Sequence, residues 1–257
     1  MRPRIAIPVP HSGDPDYAAR SLPQYERAVA MAGGDPIRIP LDQAPSELIK
    51  LIKRCDGVLL PGSRADVDPA KYRQTRDLRT ADADTQRDMV DELLLHDAYS
   101  MRKPVLGICY GLQILNVYRT GSLLQHIESP INHEAGRKVP VAHNVEVSPD
   151  STLANVVREG KGDLNQLPVN SSHHQSAGAV GDGLRVVARC PEDGIVEALE
   201  GTATDHFVLA VQWHPERSVD DDASSRAIFA ALVRAAQTRH RELVGDIEAP
   251  GPKPTRS

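Results

Sequence analysis

The order of apolar runs and breakers predicts an α/β fold, a three-layer, doubly wound, mostly parallel sheet with an antiparallel extension. Three observations carry this reading. Short apolar runs alternate with helical patterns through the first half of the chain, which implies a parallel sheet with helices on both faces. Gly57-Val-Leu-Leu and Pro104-Val-Leu-Gly-Ile are apolar throughout, as strands buried on both sides are. After Gly121 the texture changes to strand-like runs that follow one another, and these supply the antiparallel part.

In order, Ile5 to Val9 is the first strand. Tyr25 to Ala32 has helical spacing and stops at Gly33-Gly34, a C-terminal signal. Ile37-Arg-Ile is a short strand. Ser46 is placed to cap a helix running to Arg54, with Leu48, Ile49 and Ile52 on one face. Gly57 to Leu60 is a strand ending at Pro61-Gly62. Ala83 to Ser100 is a long helix, Pro104 to Ile108 a strand, and Leu112 to Tyr118 a helix directly after it. Val139 to Val147, Gly183 to Ala188, Ile195 to Leu199 and Phe207 to Trp213 read as strands, and Ala223 to Ala236 as a closing amphipathic helix. Residues 1–245 form one expected domain. The Pro-rich stretch 246–257 is expected to be a disordered tail.

Composition excludes several classes. A net charge of −5 gives no electrostatic case for binding nucleic acid or an anionic membrane, and 4% aromatic residues leave few stacking platforms for single strands. No run approaches the roughly 18 apolar residues of a membrane span, and no secretory h-region is present. Three widely spaced cysteines, Cys55, Cys109 and Cys190, argue against a disulfide framework and for a reducing, cytoplasmic setting.

Leu106-Gly-Ile-Cys-Tyr-Gly-Leu-Gln113 is the most informative segment. A buried strand enters it, a helix leaves it, and glycines flank Cys109 two residues away on either side. This is the layout of a nucleophile elbow with cysteine in place of serine. The tight turn strains the nucleophile's backbone, and the glycines remove Cβ atoms that would clash there. The helix N-terminus is expected to favour thiolate, and the N–H of Tyr110 to face a developing oxyanion. Cys55 and Cys190 lack this setting and read as packing residues.

Val211-Gln-Trp-His-Pro-Glu216 follows an apolar strand, so His214 stands at a strand's C-terminal end, where open α/β sheets bind ligands. Glu216, two residues on, is placed to accept an imidazole N–H and fix its tautomer. Cysteine, histidine and glutamate then form a set in which the imidazole takes the thiol proton and returns it to a leaving amine.

The segments Gly107 to Gln113 and Gln212 to Glu216 resemble the two signatures of class I glutamine amidotransferases, whose fold is flavodoxin-like. Within that superfamily the chain most resembles the γ-glutamyl hydrolase-like members, peptidase family C26, which include γ-glutamyl-γ-aminobutyrate hydrolase. Further similar segments occur in order: Ala32-Gly-Gly34, Leu59-Leu-Pro-Gly-Ser63 with Asp66 to Tyr72, Arg87-Asp88, Asn170-Ser-Ser-His-His-Gln175 and Asp193-Gly-Ile-Val-Glu197. The resemblance implies a catalytic triad of Cys109, His214 and Glu216. It implies an oxyanion hole from Gly62, Ser63 and Tyr110, and substrate contacts from Gln113, Ser171, Ser172 and His173. The chain departs from the common pattern at Ser63 and Thr120, where glycine is usual, and at His126, where aspartate is common.

Read without the resemblance, Arg87-Asp88 is a solvated helix face. His173-His174 is not expected to hold a metal, since adjacent residues on an extended segment point opposite ways and no third ligand is suggested. No cofactor is expected. The implied partner is a small γ-glutamyl substrate, with the leaving amine unspecified, and the expected assembly is a homodimer. The implied activity is hydrolysis of γ-glutamyl amides through a thioester on Cys109. The alternatives are a glutaminase subunit feeding ammonia to a separate synthase, and a binding protein on the same scaffold.

Overall fold

The computed structural model describes residues 2–248. In chain order the elements are β1 (Arg4–Pro8), α1 (Pro15–Met31), β2 (Asp35–Ile39), α2 (Pro45–Ile52), β3 (Gly57–Leu60), α3 (Thr85–Met101), β4 (Val105–Ile108), α4 (Tyr110–Tyr118) and β5 (Leu123–Leu124). There follow β6 (His143–Val147), α5 (Thr152–Glu159), β7 (Leu167–Val169), β8 (Ser176–Ala177), β9 (Leu184–Arg189), β10 (Val196–Gly201), β11 (Val208–Val211) and α6 (Ala223–Glu248). Nine strands form one sheet in the order β2-β1-β3-β4-β11-β10-β9-β6-β7. The first five are parallel, and the pairings from β11 outward are antiparallel. β5 and β8 make a separate small ribbon.

Two apolar layers cover the sheet. On one face Leu59, Leu106 and Leu209 pack with Tyr25 and Val29 of α1 and Phe229 and Leu232 of α6. On the other, Leu60, Val105 and Ala210 pack with Leu48 and Ile52 of α2, Leu94 of α3 and Leu115 of α4. Burial on both faces explains why β3, β4 and β11 carry no polar alternation.

Several boundaries differ from the expectation for local reasons. α1 begins at Pro15, ahead of Pro23, because Asp14 caps it by accepting from the Tyr17 N–H at 2.9 Å. Ser46 does not cap α2: Pro45 occupies the first turn, and Ala44 stands at the cap without a side-chain bond. β6 starts only at His143, after Pro140, which has no N–H to give to a ladder. α6 runs to Glu248, so residues 246–248 of the expected tail are helical. The remainder of that tail, 249–257, lies outside the described residues.

Arg87 and Asp88 do not form a solvated face. Arg87 is fully buried and Asp88 nearly so. The Arg87 guanidinium bonds both oxygens of Asp91 at 2.9 Å and donates to the carbonyls of Pro10 at 2.9 Å and Pro61 at 2.8 Å. Every partner is a fixed oxygen, which is how a buried cation is tolerated. Arg87 thereby ties α3 to the ends of β1 and β3.

At the elbow, a Cβ on Gly111 would lie 2.1 Å from the Leu60 carbonyl oxygen, and one on Gly107 would lie 2.7 Å from the Gly111 carbonyl oxygen. Gly111→Ala is therefore expected to lower stability by about 3 kcal/mol, since backbone must move to admit the methyl. Urea unfolding checks this, and a loss below ~0.5 kcal/mol would contradict so close an approach of α4 to β3. Arg87→Met is expected to cost about 3–5 kcal/mol by stranding the buried Asp91, and adding Asp91→Leu should recover most of it.

Candidate active site

Cys109 sits between β4 and α4 with φ 55° and ψ −107°, a backbone position that side chains other than glycine rarely adopt. Its N–H donates to the Val211 carbonyl at 2.8 Å, and its carbonyl accepts from Leu112 and Gln113 in the first turn of α4. The strained turn is thus held on both sides.

His214 follows β11 and is buried, as is Glu216. The imidazole Nδ1 donates to Glu216 Oε1 at 2.8 Å, which leaves Nε2 as the proton acceptor. Asn170 clamps the His214 backbone from both ends, accepting from its N–H at 3.0 Å and donating to its carbonyl at 2.9 Å. A Cβ on Gly62 would lie 3.0 Å from His214 Cε1 and 3.7 Å from Cys109 Cβ, so cysteine, histidine and the loop after β3 crowd one point. Glycine at position 62 leaves that space open.

The three loop positions expected around an oxyanion are not equivalent. The Gly62 N–H is already spent on the Tyr25 hydroxyl at 3.1 Å. Among the described residues no hydrogen bond engages the Ser63 N–H, which leaves Ser63 and Tyr110 as the amide pair open to a ligand. Two contacts behind this loop brace it. Arg87 holds the Pro61 carbonyl, and the Tyr110 hydroxyl donates to Asp88 while the Arg87 guanidinium lies 5.0 Å from the Tyr110 ring centre.

The residues expected to contact substrate separate. Ser172 accepts from Arg217 Nη1 at 2.8 Å, and Arg217 Nε lies 3.5 Å from Glu216 Oε1, so Ser172 joins the catalytic cluster. Gln113 is buried and donates to the Gln175 carbonyl at 3.1 Å. Ser171 is fully buried and donates to the His133 carbonyl, and His173 faces Glu197. Sequence reasoning missed Tyr25, Asn170, Arg217 and Arg87 as supports. Asn170 and Arg87 stand inside the segments singled out above, and Arg217 directly follows Glu216, whereas no local signal marks Tyr25.

Burial sets the resting protonation. It pushes the Cys109 thiol up to about 12, opposed by the Arg217 charge and the Tyr110 N–H. It lowers His214 below the ordinary imidazole value despite the Glu216 carboxylate. Burial raises the Glu216 carboxyl, but the imidazole hydrogen bond and the Arg217 charge outweigh it and hold Glu216 below the usual carboxylate range. The resting pair is therefore neutral thiol and neutral imidazole.

A family model described as peptidase C26 matches residues 9–216. The chain belongs to the peptidase C26 family. Two relatives, each named γ-glutamyl-γ-aminobutyrate hydrolase, come from Escherichia coli O157:H7 and from E. coli K12. Each is 37% identical over 233 residues, covering 86% of this chain and 88% of its own. The glutaminase domain of Trypanosoma brucei CTPS with bound acivicin superposes with a TM-score of 0.59 at 18% identity, over 91% of this chain and 94% of that one. That likeness shows the amidotransferase-type fold. The family membership and the named relatives make this chain a hydrolase. No helix among the described residues is long and apolar enough to cross a membrane.

Tyr25→Phe should leave the buried Gly62 N–H without an acceptor, at a cost of about 1–3 kcal/mol. Thermal or urea unfolding checks it, and an unchanged midpoint would mean that Tyr25 does not hold the loop.

Proposed function

We propose that this protein hydrolyses γ-glutamyl amide bonds, with Cys109 as nucleophile, His214 as general base and acid, and Glu216 as the residue that orients the imidazole. The observation that carries this is the strained Cys109 backbone beside the buried His214–Glu216 pair, in a family whose named relatives act on γ-glutamyl-γ-aminobutyrate.

Each step follows from the geometry. His214 Nε2 takes the thiol proton as the sulfur adds to the amide carbon, so charge appears only during attack. Glu216, already anionic, stabilises the imidazolium that forms. The negative oxygen of the tetrahedral intermediate is placed to meet the Ser63 and Tyr110 N–H groups. The imidazolium then protonates the leaving amine, and a γ-glutamyl thioester remains on Cys109. His214 next draws a proton from water, hydroxide adds to the thioester carbon, and glutamate leaves as the thiol re-forms.

A second reading is a glutaminase subunit that hands ammonia to a synthase, favoured by the fold shared with the CTPS glutaminase domain. The two separate on one assay: glutamate release by the purified chain alone from glutamine, γ-glutamyl-γ-aminobutyrate, γ-glutamyl-polyamines and folate polyglutamate. The hydrolase requires turnover of a γ-glutamyl amine well above glutamine. Silence across the panel would favour the glutaminase subunit.

Cys109→Ala is expected to abolish turnover with the fold intact, His214→Ala to cost on the order of 10³-fold or more, and Cys55→Ala to cost little. Equal losses in all three would remove Cys109 as nucleophile.

The pH profile tests the neutral pair. His214 must be unprotonated to act, and its pKa is lowered, so kcat/KM should hold through the ordinary histidine range and fall only below it. With the thiol near 12, no second rise should appear between pH 7 and 9, within the roughly neutral range enzymes are assayed in. An activity limb near the ordinary thiol value would instead indicate a free thiolate.

A further inference from the structure

Behind the catalytic strand end, three histidines surround one buried carboxylate. His143 Nε2, His133 Nδ1 and His173 Nε2 lie 3.0, 3.3 and 3.6 Å from the same oxygen, Glu197 Oε1. All four side chains are nearly or wholly buried. His133 Nδ1, His173 Nε2 and Glu197 Oε2 have no hydrogen-bond partner.

The outer nitrogens of two rings decide what the inner ones can be. His133 Nε2 donates to Asp193 Oδ2 at 2.8 Å, and His173 Nδ1 donates to the Gln175 carbonyl at 3.0 Å. Those acceptors place a proton on the outer nitrogen of each ring. In the neutral imidazoles the inner nitrogens are then bare lone pairs aimed at a carboxylate. Lone pair against anion is repulsive, so the arrangement needs positive charge between them. Two added protons would put imidazolium rings side by side with centroids 4.9 Å apart. One divalent cation would take the inner nitrogens of His133 and His143 together with the Glu197 carboxylate.

We propose that His133, His143 and Glu197 bind a zinc ion, with His173 beside the carboxylate at 3.6 Å. Bonds of roughly 2.0–2.1 Å to a tetrahedral zinc set neighbouring ligand atoms about 3.3 Å apart, close to the 3.3 and 3.0 Å that separate His133 Nδ1 and His143 Nε2 from Glu197 Oε1. Imidazole with one carboxylate is a donor set suited to zinc, and outer acceptors on ligand histidines are the usual support of such sites. The three protein ligands are all buried, away from the catalytic cysteine's own cluster. The ion's role is positional: the Glu197 carbonyl accepts from the Gln212 N–H at 2.7 Å, and the His133 carbonyl accepts from the His173 N–H and the Ser171 hydroxyl. The ion would lock the chain on both sides of the His214 strand end.

The test is metal content of the full chain by mass spectrometry after dialysis against zinc and gel filtration, with melting temperature followed under a strong chelator. The proposal requires about one zinc per chain, a lower melting temperature when zinc is stripped, and recovery when zinc returns. Glu197→Gln and His143→Ala should lose the ion, while Cys190→Ala, beside Asp193, and His174→Ala, near the exposed edge, should keep it. Should the Glu197 or His143 variants fail to fold, cobalt loaded into the wild-type chain must give the intense visible bands of a tetrahedral site. Substoichiometric zinc, with a melting temperature that neither zinc nor chelator moves, would overturn the proposal and leave protons as the neutralising charge. So would zinc that follows His174 rather than Glu197. None of these readouts depends on turnover, so they stand apart from the hydrolase assay.

Discussion

A single backbone constraint organises this molecule: Cys109 must hold φ near 55° between a buried strand and a buried helix. Such a conformation costs on the order of 1–3 kcal/mol and persists only where its surroundings over-determine it. Here they do. Parallel pairing sets Leu60 beside Gly107 and Val211 beside Ile108, so three strands end together. Their next residues supply Pro61-Gly62, Cys109 and the Gln212-Trp-His run at one edge. Gly111 lets α4 pack against the Leu60 carbonyl, and no larger residue fits there. The elbow therefore fixes strand spacing, helix position and the meeting of cysteine with histidine at once.

Electrostatics at that edge follow from burial. A thiol and an imidazole taken out of water both favour their neutral forms, and one carboxylate with one guanidinium, Glu216 and Arg217, carry the charge nearby. In the proposed reaction, separation of charge is deferred until an oxyanion forms, when the Ser63 and Tyr110 amides and Glu216 are already in position. Arg87 plays the matching structural part. It is a cation buried where the sequence suggests solvent, and it anchors the Pro61 carbonyl so that the amide two residues on stays aimed.

Much of this was legible because strand runs and punctuating glycines are local signals. β3 and β4 could be read almost to the residue, and Cys109, His214 and Glu216 stood at strand ends. What escaped was decided by tertiary contact. Arg87 and Asp88 have the local pattern of an exposed helix face, and only the carbonyls of Pro10 and Pro61 make the interior habitable for Arg87. Tyr25 reads as a core aromatic, although its hydroxyl reaches Gly62. Thr120 sits at φ 70°, a position that glycine fills more easily, and Asp182 holds its hydroxyl at 3.1 Å. His133, His143, His173 and Glu197 come from four separated segments, so no spacing in the sequence announces them.

The segment from Asn170 to His174 shows how one short stretch serves both buried centres. Its contacts alternate, as an extended chain's must. Asn170 grips the His214 backbone, Ser172 accepts from Arg217, and His174 bonds Asp66 on the loop beyond Ser63. Ser171 and His173, between them, reach the His133 carbonyl and Glu197. A displacement of this segment cannot spare either side, since a shift of one residue would exchange every contact. The order of residues here, polar at each step and with two adjacent histidines, follows from that double duty. Adjacent histidines look like a ligand pair in sequence, yet the pleat assigns one to each side.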